Sequence, residues 1–121
     1  RPWWGIELGG ASTGTTKNIN IKNNIIAHTL AGAIVQGGNV VMDKVDISNN
    51  DIFDIEQTTD PVWTGTKPTN LTYANNLHVN PMFVSATDFH LQNGSPVIDK
   101  GVNVGLVFKG AAPDMGYAEA R

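Results

Sequence analysis

The sequence predicts an all-β protein, a right-handed parallel β-helix of about three coils of 26–28 residues, each coil one turn of a solenoid, finished by a C-terminal cap. Three observations predict it. A pair of adjacent asparagines recurs at a fixed interval, with the first of each pair at 23, 49 and 75, two steps of 26. A glycine-containing segment recurs beside it, with Gly9, Gly37 and Gly65 each 28 apart. The 121 residues are 40% hydrophobic but only 16% charged, and Asn, Gly and Thr stand where charge would be expected. Val, Ile and Thr favour strands, and Asn and Gly favour tight turns, so the balance is that of a turn-dense β protein.

Each repeat reads as three short alternating segments. They are 5–8, 18–22 and 25–27 in the first copy, then 33–36, 44–48 and 52–55, then 62–64, 70–74 and 77–79. Period-two alternation buries one face of a strand. In the middle segment Ile19, Val45 and Leu71 align, as do Ile21, Ile47 and Tyr73. Stacked like residues would form continuous apolar columns. Outward on the same segment stand Asn20, Asp46 and Thr72. The aligned Asn23, Asn49 and Asn75 are expected at a sharp turn, because Asn tolerates left-handed backbone angles. They are assigned to a structural amide ladder rather than to chemistry.

The coils (5–27, 33–55 and 62–79) would occupy residues 1–79, and a terminal coil and cap residues 80–121, all in one domain. No cap is visible ahead of the first coil. The chain is therefore expected to be the C-terminal part of a longer one. Its open N-terminal face would be covered by preceding coils or by another copy.

Composition excludes several classes. Net charge is −3, six lysines are scattered, and the two arginines are Arg1 and Arg121, so no basic patch marks a nucleic-acid partner. No apolar run approaches the roughly 18 residues of a membrane span. With no cysteine, disulfides and thiolate metal sites are excluded.

The repeat Gly-Ile-x-x-x-Gly-Gly followed by Asn-Asn-x-Ile resembles the coils of pectate-lyase-like right-handed β-helix proteins, over about residues 5–79. The tail is more specific. It carries Asn80-Pro81-Met82-Phe83-Val84, Asp88-Phe89-His90-Leu91 and Gly94-Ser95-Pro96-Val97-Ile98-Asp99-Lys100-Gly101, then Pro113-Asp114-Met115-Gly116 and Glu119. This is similar to the end of many bacterial extracellular β-helix proteins. The resemblance implies a secreted or surface-exposed, polysaccharide-active protein, either a lyase or glycoside hydrolase or a non-catalytic carbohydrate-binding or adhesive one. It also implies a capping role for the tail. A self-assembling structural module is a further alternative.

No complete active site is visible, and candidates are few. Lys22 and Lys44 with Asp46 form a polar patch on the middle segment, where a lysine of lowered pKa would act as the base of a lyase. Trp63, aligned with Glu7 and Val35, is expected to face outward among hydroxyl-bearing loop residues, where its flat ring would suit a sugar. Glu7 would stand beside it. Asp51, Asp54 and Glu56 are the candidate oxygen ligands for Ca2+, the one cofactor the sequence suggests.

Overall fold

The structure is a computed structural model that describes residues 2–56 and 62–120. Thr58, Thr59, Asp60 and Pro61, the loop expected to flank Trp63, lie outside the described residues.

Every regular element among the described residues is a strand. In chain order these are β1 (Ile6–Lys22), β2 (Ile25–Ala27), β3 (Ile34–Ser48), β4 (Asp51–Phe53), β5 (Trp63–Thr64) and β6 (Thr69–Ala74). All the strand pairs are parallel. β1, β3 and then β5 and β6 build one sheet, with β5 and β6 both on β3; β2 and β4 build a second. The register follows the repeat. Ile19 faces Val45, which faces Leu71; Ile21 faces Ile47, which faces Tyr73.

Stacking like on like gives the core. Ile34, Val45, Ile47 and Ile52 are almost fully buried, with Met42 and Trp63 beside them. Ile6, Leu8, Ile19 and Leu71 pack on the same cluster from the two ends of the stack. Each such side chain contributes roughly 1.5–3 kcal/mol when fully buried. Tyr73 departs from its column's pattern. It is 43% exposed, and its hydroxyl lies 3.3 Å from His78 Nε2.

The closed solenoid expected from the repeat is corrected by this strand pattern. Two sheets form, not three faces around a coil. The expected first and second segments of the first two repeats are not separate strands. They merge into the 17 residues of β1 and the 15 of β3. The reason lies in the residues between them. The Gly/Thr run of β1 finds a continuous partner in 37–43, with one register shift between Gly10 and Thr13. Backbone groups that can pair side by side need no turn to satisfy them. The third repeat contributes only β5, β6 and an isolated bridge from Asp51 to Leu77.

Asn23, Asn49 and Asn75 take the left-handed angle expected of them. Three columns of non-glycine residues have positive φ: Asn18, Lys44 and Asn70 at 56–60°, Asn23, Asn49 and Asn75 at 57–63°, and His28 with Asp54 at 62° and 55°. A left-handed residue redirects the chain within a single position. Asn, Asp and His are the side chains most often found in that conformation, whereas Lys44 is held in it at a cost.

Candidate functional site

The site begins at the asparagine pairs. At each left-handed Asn the side chain swings out of the stack, and the next Asn points in. The buried ladder is therefore built by Asn24, Asn50 and Asn76, which corrects its assignment to Asn23, Asn49 and Asn75. Asn24 Nδ2 donates to Asn50 Oδ1 at 3.1 Å, and Asn50 Nδ2 donates to Asn76 Oδ1 at 3.0 Å. The same oxygens accept the backbone N–H of Asn24 and Asn50. Asn50 and Asn76 also donate to the carbonyls of Ile21 and Ile47. The ladder ends at Asn24, whose Oδ1 accepts no bond from the described residues.

The outward asparagines hold the tail. Asn23 Nδ2 donates to Val102 O, and Val102 N–H donates back to Asn23 Oδ1, both at 2.8 Å. Gly116 N–H donates to Asn23 O at 2.7 Å, and Asn49 Nδ2 donates to Lys100 O at 3.3 Å. The tail is thus fastened along the side of the stack as far as the first repeat. Internally it is braced by Asp114, whose carboxylate accepts the N–H groups of Asp99 and Ala120. Glu119 accepts those of Lys109 and Asp114. Val97 and Met115 are its fully buried anchors.

Between tail and stack lies a groove of about 420 Å³. Ile25 and Ala27 of β2 form one wall, and Phe83, Phe89 and Tyr117 form the other. Phe83 and Phe89 pack edge to face, with centroids 5.2 Å apart. Phe89 remains 52% exposed and Tyr117 70%, so both offer ring surface to a ligand. Polar groups stand at the margins. Asn24 and His28 are polar residues of the groove lining. His28 Nδ1 is 2.7 Å from Asp54 Oδ2. In a separate depression His90 Nδ1 is 2.6 Å from Asp88 Oδ1, and it adjoins the groove only through Tyr117, 3.2 Å from its hydroxyl and edge to face with its ring. Chemically the groove offers flat apolar rings edged by hydrogen-bonding groups.

The residues singled out from sequence fall elsewhere. Trp63 is in the core, 3% exposed, opposite Ile34 rather than Val35, with Nε1 donating to Thr66 O at 3.1 Å. The outward-facing sugar platform is thereby overturned. The even glycine spacing implied a register that the strand does not keep, and the large apolar ring takes the inward position. Glu7 is exposed, and its carboxylate covers Gly37, where an added Cβ would stand 2.6 Å from it. Lys22 and Asp46 pair at 3.4 Å, and Ser48 Oγ donates to Asp46. Lys44 and Asp46 border a separate shallow polar depression of about 290 Å³ with Asn20 and Thr72. Lys44 is exposed there.

The candidate calcium ligands are not gathered. Asp51 is fully buried within the stack, Asp54 is bound to His28, and Glu56 is exposed. Among the described residues no three His, Asp or Glu side chains form a group that could hold a metal ion.

Sequence reasoning did not find Asn24, the His28–Asp54 pair or the three tail aromatics as one site. His28 and Asp54 are 26 apart, the interval of the repeat itself, and that spacing was the available signal. Phe83, Phe89 and Tyr117 sit in the aperiodic tail, and no pattern there says which face they share. In comparisons with known proteins, no family model, no curated sequence and no solved structure matches the chain. No helix among the described residues is long and apolar enough to cross a membrane.

Proposed function

We propose that this chain binds a polysaccharide strand, without transforming it, in the groove between β2 and the tail. The observation that carries the reading is the concentration of Phe83, Phe89 and Tyr117 on one wall of an open groove, with Phe89 and Tyr117 exposed. The C–H face of a pyranose packs on such rings, while its hydroxyls need donors and acceptors at the edge. Asn24, His28 and Tyr117, all in the groove lining, carry groups of that kind. The resemblance of the repeat and tail motifs to polysaccharide-active proteins favours the same ligand class, and a secreted or cell-surface location goes with it. Binding is preferred to catalysis because the outer-face trio Lys22, Lys44 and Asp46 is solvated and lies apart from the groove lining.

Retention on insoluble polysaccharides tests the reading. The chain is retained on at least one, and Phe89→Ala and Tyr117→Ala each weaken retention by about tenfold, or about 1.4 kcal/mol, with unchanged circular dichroism. Retention that ignores both substitutions would place the ligand elsewhere and end this reading.

A further inference from the structure

We propose that copies of this chain stack head to tail, the third-repeat end of one against the first-repeat end of the next, so that the asparagine ladder runs on from copy to copy. The two ends carry the complementary halves of one junction. Within the chain each junction of the ladder is made the same way. Asn24 N–H and Nδ2 donate to Asn50 Oδ1, and Asp51 N–H donates back to Asn24 O at 2.8 Å. Asn50 N–H and Nδ2 donate to Asn76 Oδ1, and Leu77 N–H donates back to Asn50 O at 2.7 Å. At the third-repeat end Asn76 carries the groups for another such junction. Its Nδ2 uses one hydrogen on Ile47 O, and neither its N–H nor its carbonyl has a partner among the described residues. At the first-repeat end Asn24 Oδ1 accepts no bond from the described residues, and Ile25 occupies the place of Asp51 and Leu77. Asn76 of one copy would thus give its N–H and its other Nδ2 hydrogen to Asn24 Oδ1 of the next, and Ile25 N–H would donate to Asn76 O.

The strands extend the match. β1 and β6 each pair with β3 alone, and every residue of β6 but Leu71 is exposed. An exposed edge strand offers a row of free N–H and C=O groups, which proteins commonly blunt with charge or proline. Thr69–Ala74 contains neither. If the register continues, Leu71 of one copy lies opposite Ile19 of the next and Tyr73 opposite Ile21, so the apolar columns cross the junction. Thr69 and Ala74 then face Lys17 and Lys22, and no like charges meet. The first-repeat end also has an apolar depression of about 400 Å³, lined by Pro2, Trp4, Ile6 and Ile26 beside Asn24. Trp4 is 40% exposed there, and Leu71 and Leu77 are only half-buried at the opposite end. Removing these surfaces from water favours the contact. The two ends are different surfaces, so the contact is heterologous, and a stack of parallel strands that does not close on itself grows as an open filament.

Sedimentation equilibrium of the full chain between about 5 and about 500 µM tests the proposal. The weight-average mass should climb reversibly past twice the 13.0 kDa of one chain. Amide hydrogen exchange at Asn76 and Ile25 should slow as the concentration rises. The double substitution Thr69→Lys with Ala74→Lys sets lysines against Lys17 and Lys22 of the next copy. It should weaken association about tenfold or more at low salt, with the circular dichroism of the dilute chain unchanged. A mass that stays at 13.0 kDa across the range overturns the proposal. An assembly that stops at two copies overturns it too, as does one that the folded double variant forms equally well. Association that leaves exchange at Asn76 and Ile25 unchanged also overturns it, and this readout needs only the native chain.

Discussion

At Asp51 the chain buries a carboxyl group completely and gives only one of its oxygens a partner. Oδ1 accepts the Val79 N–H at 3.0 Å, and Oδ2 has no partner among the described residues. Burial pushes the carboxyl up from 3.8 to about 6, against the smaller opposing pulls of the Val79 N–H and His78. The folded-state value lies above the unfolded one, so ionisation opposes folding. This contribution is absent below about pH 4, grows as pH rises towards 6, and stays constant above it. The difference is worth on the order of 3 kcal/mol. Urea unfolding of the native chain and of Asp51→Asn at a series of pH values checks this. Between pH 4 and 7 the balance should move in favour of the variant by that order, and a pH-independent difference would refute the assignment. Trp63 makes a second residue-scale case. Packed against the core, it should cost about 3–5 kcal/mol on replacement by Ala. An outward Trp would be nearly neutral, so the unfolding midpoint of Trp63→Ala separates the inward position from the outward one that the glycine spacing suggested.

Elements were legible where side chains repeat and obscure where only the backbone decides. The columns through Val45 and Ile47 follow from alternation, because a one-residue slip would turn the whole apolar face outward. Which asparagine of each pair faces in does not follow, since both are polar and adjacent. The left-handed backbone of the first settles it, and that angle has no letter in the sequence. The two asparagines of a pair should therefore respond differently. Asn50→Ala strips partners from Asn24, Ile21 and Asn76 together and should cost roughly 3 kcal/mol or more in global stability. Asn23→Gly, which keeps the left-handed angle and removes the side chain, should instead loosen the tail, raising amide hydrogen exchange at Val102 with little global loss. Equal effects would contradict the division of labour between ladder and clamp. In the column Asn18–Lys44–Asn70, Lys44 holds a left-handed angle between two asparagines. Lys44→Asn should raise the unfolding free energy by about 0.5–1 kcal/mol, measured by urea titration.

On the scale of the whole molecule, the groove exists only because the tail folds back along the stack. One wall comes from residues 24–28 and the other from 83–117, and the hydrogen bonds of Asn23 hold the two in place. Sequence repetition speaks for each repeat's contact with the next, and it is silent about an aperiodic tail crossing several repeats. That is why the register of the middle segments could be read in advance, while that of β5 and the groove could not. The same geometry links stability to function, since a substitution that frees the tail also removes one wall of the site. The most direct test of the account follows amide chemical shifts of the nitrogen-labelled chain as an uncharged hexasaccharide is added. Concerted shifts at Asn24, Ala27 and His28 together with Phe83, Phe89 and Tyr117 are predicted. Shifts confined to the depression around Lys44, Asp46 and Thr72, with the groove residues unmoved, would contradict it.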